Sequence, residues 1–355
     1  MSFSFTKNVS DIFVRLEKLG FFPVIGTPES YVLYITVALF LIVVVPELLV
    51  RRANSASDKG SDVSRGLKRE QARSSNMGGT AKDDRLLNPI YFKPFTVIET
   101  TKVSHNTILL RFEIPNDRDL GLAVGRHVSV KAELDGSRVI RPYTPTSRPD
   151  TKGYFELMVK RYLDGKMSSY MWNLQVGDTL DIRGPVGCFK YNKNEHRRIG
   201  LIAGGTGLTP CLQVIRCILE GPEGKGDNTE FVLFFQNRTE SDVLLREELE
   251  VLANTYKRRL RVLFFLSNPQ SNDWGNQYST GKALKSFFSK PSDGTVPELK
   301  GYINNIAIKA AMTPLHCGLV GICGPSGFNQ VMKDLLIDVG HEAESDSNNN
   351  TVFVW

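Results

Sequence analysis

The hydrophobic pattern of this 355-residue chain changes once, near residue 195, and no other feature constrains the fold as strongly. From about residue 90 to that point, short β-rich segments follow one another with turns between them. Residues 128–134 alternate between apolar and polar side chains, and Asp135-Gly136 then predicts a two-residue hairpin. Beyond residue 195, apolar strands alternate with helical segments, which is typical of a parallel sheet built from βαβ units.

The two patterns predict two domains of different class. Residues 90–195 are expected to form an antiparallel barrel, because six strands with little helix are typical of such barrels. Residues 196–355 are expected to form a doubly wound parallel sheet that binds a nucleotide. The predicted strands cover 95–101, 107–114, 127–134, 137–143, 154–160 and 179–183 in the first domain and 198–203, 231–236, 260–267 and 317–323 in the second. The predicted helices cover 168–174, 210–220, 242–256 and 326 to about 339.

Composition excludes several classes of protein. The net charge of +6 is a mild excess and does not indicate nucleic-acid binding. The five cysteines are odd in number and no pair has C-x-x-C spacing, so neither a disulfide framework nor a zinc site is predicted. The five histidines are scattered, and no metal site is expected.

The first 50 residues predict a membrane anchor. From Ser30 to Pro46 the chain carries no charge, and a helix of that length spans about 26 Å. That length suits the thinner bilayer of the endoplasmic reticulum, so we predict a single span over about residues 30–48. A buried core helix is the alternative. Arg51 and Arg52 follow the span directly, and this bias predicts that the C-terminal bulk faces the cytosol.

The segments on either side of the span have different characters. Apolar residues recur at helical spacing from Val9 to Leu16, which predicts a helix lying on the membrane surface. A cleaved signal peptide would have its apolar region nearer the N-terminus. Residues 51–89 are rich in Ser, Gly and charged residues, and they are predicted to form a flexible linker.

The strand that ends at Tyr143 carries a candidate cofactor site. Side chains at i and i+2 point to the same face of a strand, so Arg141 and Tyr143 share a face. An aromatic ring beside a guanidinium suits a flat, anionic cofactor that stacks and carries a pyrophosphate.

Three further motifs follow downstream. Gly165-Lys166-Met167-Ser168 opens a short helix whose backbone N–H groups favour phosphate. An ordinary turn and helix cap without a binding role is the alternative. The turn Gly204-Gly205-Thr206-Gly207 follows the first apolar strand, where a doubly wound sheet binds its nucleotide. Cys323-Gly324-Pro325 closes a later strand at the same edge, and a buried core cysteine is the alternative there.

In this order, the four motifs resemble those of the ferredoxin reductase superfamily, and most closely those of the NADH-cytochrome b5 reductases. The resemblance covers roughly residues 90–355. It implies a six-stranded Greek-key barrel that binds FAD, followed by a domain that binds NADH.

The resemblance also implies roles for individual residues. The flavin and its phosphates are expected to contact Arg141, Pro142, Tyr143, Thr144, Met158, Lys160, Gly165, Lys166, Met167 and Ser168. The nicotinamide dinucleotide is expected to contact Gly204, Gly205, Thr206, Gly207, Thr209, Cys323, Gly324 and Pro325. Of these, Thr144 would stand near flavin N5, Thr209 near the flavin and Cys323 beside the nicotinamide, so these three are the candidate catalytic residues.

The nucleotide preference is argued from two residues of opposite charge. Asp242 lies where a carboxylate would accept ribose hydroxyls and repel a 2′-phosphate, which favours NADH. Arg238 nearby favours the opposite. Phe328 lies in a segment that departs from the proline-rich version in close relatives. Trp355 is interpreted as a packed surface side chain rather than one stacked on the flavin.

The resemblance implies an enzyme that passes hydride from NADH to flavin N5 and then single electrons to a haem protein. With the predicted span, this enzyme is expected to be tethered to a membrane. Cytochrome b5 is the expected partner, and a quinone, another haem protein or a ferric chelate is the alternative acceptor. A membrane adaptor with a degenerate barrel is a third hypothesis. The expected location is the endoplasmic reticulum membrane or the mitochondrial outer membrane.

Overall fold

The computed structural model describes residues 85–271, 274–275, 281–343 and 350–355. The predicted surface helix, the predicted membrane span and the linker up to residue 84 lie outside the described residues. Within the described ranges, no helix combines the length and the apolar character that a membrane crossing requires.

The first sheet contains all six strands that the sequence predicts for the barrel. Its strands are β1 Lys93–Ser104, β2 Thr107–Glu113, β3 His127–Leu134, β4 Ser137–Tyr143, β5 Tyr154–Lys160 and β6 Thr179–Val186. Their order in the sheet is β4-β3-β6-β1-β2-β5, and each neighbouring pair is antiparallel. The sheet curls around one apolar core to which β1, β2, β3, β5 and β6 all contribute.

The predicted hairpin between β3 and β4 is confirmed. Asp135 and Gly136 both have positive φ, 51° and 68°, as a tight turn between twisted strands requires. The pairing of Leu134 with Ser137 then sets the register of the whole hairpin, so Val128 pairs with Tyr143. The helix α1, Lys166–Trp172, packs its methionines into the barrel core.

The second sheet is entirely parallel, as predicted. Its strands are β7 Arg198–Gly204, β8 Glu230–Asn237, β9 Leu260–Leu266, β10 Glu298–Lys300, β11 Leu319–Cys323 and β12 Val352–Val354, in the order β10-β9-β8-β7-β11-β12. Apolar clusters cover both of its faces, which confirms the doubly wound architecture. The helices are α2 Leu208–Leu219, α3 Arg246–Thr255, α4 Gly281–Ser289, α5 Asn305–Ala311 and α6 Ser326–Asp338.

Two regions differ from the sequence prediction. The segment that contains α4, β10 and α5 carried no prediction, because three to nine residues give too few periods for a helical or strand pattern to stand out. The third helix begins at Arg246 rather than at residue 242. Glu240–Asp242 instead forms a separate 3₁₀ turn, and Leu245 at φ 52° interrupts the chain before the helix.

The two sheets share one of the apolar cores. The cluster under α2 and α3 includes Met158 from β5 and Phe189 from the end of the barrel domain. The barrel therefore packs against the face of the parallel sheet that carries α2. This packing brings the end of β5 close to the carboxyl ends of β7 and β8.

Candidate functional site

Strand β5 connects the two domains because its two faces have different neighbours. Leu157 and Val159 point into the barrel core. Met158 and Lys160 alternate with them and point towards the nucleotide domain, Met158 into its apolar core. The predicted cofactor residue Met158 is thus fully packed, with 3% of its surface exposed.

Two polar contacts join the end of β5 to the nucleotide domain. The Nζ atom of Lys160 lies 2.8 Å from Oδ1 of Asp242, and both side chains are mostly buried. Two residues further on, the hydroxyl of Tyr162 lies 3.4 Å from Oγ1 of Thr206 in the glycine-rich turn. The strand end and the turn are therefore in contact and lie on the same side of the molecule, not on separate surfaces.

The end of β4 combines exposed and buried groups. Arg141 is exposed, and among the residues that the structure describes its guanidinium donates only to the carbonyl of Ile140, at 2.8 Å. Tyr143 packs against the barrel core, and burial raises its pKa to about 12. Thr144 is buried at the point where the strand ends. The exposed cation is thus free to meet an anion, while the aromatic ring is partly packed.

The loop before α1 uses much of its own hydrogen-bonding capacity. The Ser168 hydroxyl donates to the carbonyl of Gly165 at 3.0 Å and accepts from the backbone N–H of Tyr162 at 3.2 Å. Lys166 forms an exposed ion pair with Asp135 at 3.0 Å. The Met167 side chain is buried in the barrel core. Of this motif, the backbone and the exposed ammonium of Lys166 are the groups that a cofactor could contact.

The glycine-rich turn is built for close approach of the backbone. Gly204 ends β7, Gly205 has φ 55°, and a Cβ atom added there would meet nothing within 4 Å. At Gly207, by contrast, a Cβ atom would lie 2.0 Å from the carbonyl oxygen of Cys323. The Thr209 hydroxyl donates to the carbonyl of Thr206 at 3.3 Å and stabilises the turn. The turn therefore has free space beside Gly205, whereas Gly207 packs closely against the end of β11.

The end of β11 places a neutral thiol beside this turn. Cys323 is partly buried, and burial raises its pKa to about 12. At neutral pH the group is a thiol and not a nucleophilic thiolate. Gly324 follows, and a Cβ atom there would lie 2.5 Å from the ring of Phe328, which also packs on Gly204. Pro325 is exposed. Phe328 thus fills the space between the two strand ends.

Asp242 has partners on both of its oxygens. Besides the Lys160 ion pair on Oδ1, its Oδ2 accepts from the Thr239 backbone N–H at 3.2 Å and from the Thr239 hydroxyl at 2.8 Å. Burial opposes ionisation, but the bonds from Lys160 and Thr239 outweigh it and the pKa of Asp242 is lowered. The carboxylate is charged and stabilises the 240–242 turn, while its role at a ribose stays a prediction.

Sequence reasoning missed two further residues that join the two domains. Gln213 and Arg216 project from α2, whose other residues are nearly all buried. Oε1 of Gln213 accepts from the Gly125 N–H at 2.7 Å and Nε2 donates to the Ala123 carbonyl at 3.0 Å. Arg216 donates to the carbonyl of Thr146 and pairs with Glu248. The sequence did offer one sign of this role, because Gln213 and Arg216 are two long polar side chains on an otherwise apolar helix.

Trp355 also lies at this interface. Its indole stacks on Phe189 with ring centroids 5.1 Å apart, and its Nε1 donates to the Gly125 carbonyl at 3.3 Å. The prediction of a packed side chain is consistent with this position, although the ring is only partly buried.

One buried side chain at the site has unused hydrogen-bonding capacity. Asn237 is the last residue of β8 and is 6% exposed, yet neither Oδ1 nor Nδ2 has a partner among the described residues. Leu233 and Phe235, four and two residues earlier in β8, lie on the same face of the strand as Asn237, the face that carries α2. A buried carboxamide without partners is costly, so this position fits a site that a ligand completes.

Two family models match the two domains. The oxidoreductase FAD-binding domain matches residues 94–191, and the oxidoreductase NAD-binding domain matches residues 201–334. They confirm FAD and a nicotinamide dinucleotide as cofactors, and they confirm the predicted class of enzyme, a flavoprotein oxidoreductase. Across the described ranges, no group of His, Cys, Asp and Glu side chains is arranged to hold a metal ion.

Similar proteins agree with these matches. The NADH-cytochrome b5 reductase 1 of Dictyostelium discoideum is 37% identical over 260 residues, which cover 72% of this chain and 81% of that protein. The NADH-cytochrome b5 reductase 1 of Debaryomyces hansenii is 39% identical, covering 74% and 84%. The crystal structure of the cytochrome b5 reductase domain of Ulva prolifera nitrate reductase is 31% identical with a TM-score of 0.62, covering 76% of this chain and 99% of that one.

Proposed function

Because this chain belongs to the NADH-cytochrome b5 reductase family, we propose that it carries electrons from NADH through bound FAD to a haem protein such as cytochrome b5. The family membership supports NADH as the donor. The acceptor is inferred from the names of the relatives and from the motifs of the chain. A quinone, another haem protein or a ferric chelate remains the alternative acceptor.

The observation that carries this proposal is the shared cleft between the two domains. Lys160 contacts Asp242 at 2.8 Å, and Tyr162 reaches Thr206 at 3.4 Å. Hydride transfer needs two flat rings at van der Waals distance, and this requires one cleft bordered by both binding domains. Two domains whose candidate residues opened on separate surfaces would not support such a reaction.

The residues around the cleft fit both cofactors. The open side of Gly205 permits close approach of a pyrophosphate to the backbone. Arg141 is an exposed cation at the end of β4, where a second pyrophosphate would find a charge partner. The unpartnered carboxamide of Asn237 adds a donor and an acceptor at the nucleotide edge.

The protein's own contribution to the chemistry is alignment. When bound, FAD accepts hydride from NADH and releases electrons one at a time, so the redox chemistry belongs to the cofactor. Thr144 is buried at the barrel edge, where a hydroxyl can orient a ring by a hydrogen bond. Cys323 presents a neutral thiol that can pack against a ring without attacking it. No residue is required to accept a proton in the hydride step.

The proposal includes a membrane location. Residues 1–50 would anchor the protein by a single span at about residues 30–48, with the catalytic domains in the cytosol. The uncharged stretch and the arginines that follow it support this orientation. The membrane of the endoplasmic reticulum and the outer mitochondrial membrane both suit this arrangement.

A stopped-flow experiment with purified full-length protein in detergent tests the function. We expect a yellow preparation that NADH bleaches without oxygen and that oxidised cytochrome b5 then restores. A panel containing a quinone and a ferric chelate ranks the alternative acceptors. Fast re-oxidation by one of those and not by cytochrome b5 would reject the proposed acceptor. A colourless protein that never binds flavin would support the adaptor hypothesis instead.

A further inference from the structure

A turn just before β1 exposes two large apolar side chains. Ile90 and Tyr91 are neighbours in the chain, and they are 59% and 69% exposed. Single exposed apolar residues are ordinary on protein surfaces. Two adjacent ones on one turn form a small apolar surface instead, which is typical of a place where a partner makes contact.

The 88–91 turn is fixed by main-chain groups and by Asn88. Oδ1 of Asn88 accepts from the backbone N–H groups of Ile90 at 2.8 Å and of Tyr91 at 2.9 Å. The Asn88 carbonyl accepts from the N–H of Gly184 at 3.0 Å, and the preceding Leu87 is buried in the barrel core. The side chains at positions 90 and 91 take no part in these bonds, so they can be replaced without loss of the turn.

Cationic side chains lie beside the 88–91 turn. Lys93 follows it at the start of β1. The ring of Phe92 lies 5.0 Å from the ammonium of Lys131 and 5.0 Å from the guanidinium of Arg183. Asp181 pairs with Lys131 at 2.9 Å and offsets one of these charges. Apolar side chains flanked by cations suit a phospholipid surface, where the apolar groups enter the interface and the cations meet phosphates.

The position of the turn in the chain favours a membrane over other partners. The turn follows the predicted linker, so it belongs to the first part of the catalytic domains that the chain enters after the predicted span. A flexible linker of about 35 residues has an r.m.s. extension of about 30 Å. A surface held so close to a bilayer needs only a weak contact, because its effective concentration is high. Asp83 and Asp84 end the linker and reduce the positive charge, so the apolar pair makes the main contribution.

We propose that Ile90 and Tyr91 enter the interfacial region of a phospholipid bilayer and give the catalytic domains a second contact with the membrane. The proposal rests on the membrane location in the proposed function and goes beyond it, because that location needs only the predicted span. Domains attached by a linker alone can rotate. A contact through the 88–91 turn fixes which surface of the barrel faces the bilayer, and with it the approach to a partner in the same membrane.

Tyr91→Trp in the full-length protein, reconstituted into phospholipid vesicles, tests the contact. Lipids with brominated acyl chains quench an indole that reaches them, and indole rings favour the membrane interface. The wild type has three tryptophans, so its quenching is subtracted. We expect brominated lipids to quench at least about half of the emission from the added indole, and iodide in the buffer to quench little of it.

Leu163→Trp is the matched control. Leu163 is 98% exposed and follows β5, whose last residue Lys160 pairs with Thr107 near the far end of β1. An indole there lies at the other end of β1 from the turn, so iodide should quench it and brominated lipids should not. Adding Ile90→Ser to Tyr91→Trp should lower the quenching by lipid, since one of the two apolar groups is lost.

The outcomes separate this proposal from the proposed function. A Tyr91→Trp protein that floats with the vesicles but is not quenched by brominated lipids would overturn the membrane contact alone. Protection of that indole from both quenchers would also overturn it, because another part of the chain or a second copy would then cover the turn. Equal quenching by lipid in Leu163→Trp would deny the turn any special role.

Flotation and colour test the proposed function on the same samples. Full-length protein that does not float with vesicles would reject the proposed membrane location, and the contact with it. A protein that floats but neither binds flavin nor reduces cytochrome b5 would reject the proposed reaction, whereas the quenching result would still decide the contact.

Discussion

Oε1 of Gln213 accepts a hydrogen bond from the buried backbone N–H of Gly125 at 2.7 Å, and this bond joins the parallel-sheet domain to the barrel. The same residue donates to the neighbouring carbonyl of Ala123 at 3.0 Å. One side chain thus satisfies two backbone groups of the other domain. A hydride-transfer cleft between two domains needs such contacts, because small shifts would separate the rings.

Gln213→Ala should weaken this interface. The Gly125 N–H would remain buried without its partner, at a cost of about 1–3 kcal/mol. We expect a lower midpoint for thermal release of flavin and slower reduction of the flavin by NADH. Gln330→Ala is the control, since Gln330 is exposed and its side chain donates to Asp334 of its own helix. Equal midpoints for both variants would show that the interface does not depend on Gln213.

Arg141→Ala should weaken retention of FAD. Within the described part of the chain, the exposed guanidinium bonds only to its own strand, so its loss removes a charge for the cofactor without disturbing the core. One charge-assisted bond of about 1.5–3 kcal/mol corresponds to a rise of tenfold or more in the Kd for FAD. Arg138→Ala removes an exposed arginine three residues earlier on the same strand and should have little effect. Full retention of FAD by Arg141→Ala, measured by gel filtration and absorbance, would contradict the assigned role.

Gly207→Ala should damage the nucleotide edge. A methyl group there would lie 2.0 Å from the Cys323 carbonyl, so the turn and the end of β11 must separate. Overpacking of this kind costs about 1–3 kcal/mol, and NAD⁺ affinity should fall as well. Gly327→Ala is the control, because nothing lies within 4 Å of a Cβ atom at that position in α6. Calorimetric titration with NAD⁺ should show the loss in the first variant only.

Leu87→Ala should destabilise the barrel. Leu87 is 4% exposed in the barrel core, although it precedes the first strand, and Asn88 accepts from the N–H of Gly184 at 3.0 Å. Truncation of a buried leucine costs about 2–5 kcal/mol. Leu163→Ala should be nearly neutral, since Leu163 is 98% exposed. A catalytic fragment that begins at residue 90 should likewise unfold at lower urea than one that begins at residue 85.

Stability should decrease as the pH falls below about 6.5, the ordinary pKa of histidine. His341 is buried, its Nε2 donates to the Met312 carbonyl at 2.6 Å and its Nδ1 accepts from the Thr351 hydroxyl at 3.0 Å. Burial lowers the pKa of His341. The unfolded chain therefore binds a proton at a higher pH than the folded one, and acid favours unfolding until the folded pKa is passed.

The pH dependence can be measured as the slope of the midpoint temperature of unfolding against pH between about 5 and 6.5. His341→Gln should reduce this slope. His127 and His316, whose pKa values burial also lowers, should supply the remainder. A slope that His341→Gln fails to alter would assign the pH dependence to other groups.

Much of the fold could be predicted from the chain alone, because strand periodicity and turn chemistry act over a few residues. The alternation in β3, the hairpin at Asp135-Gly136 and the change to βαβ units were all predictable in this way. The glycine-rich turn and the Cys323 motif were also located correctly at neighbouring strand ends, since parallel strands bring their carboxyl ends to one edge. Short elements such as β10 carried too little pattern to be found.

The tertiary structure alone decided which of the polar groups are free. Sequence placed Asp242 near a ribose, but Lys160, 82 positions away, takes one of its oxygens. Met158 and Met167 were predicted at the cofactors, yet the packing of β5 and α1 buries both side chains in apolar cores. Contacts of this kind depend on how faces meet across domains. A local sequence pattern does not encode which faces meet. Burial and the pairing of polar groups in the folded chain determine it.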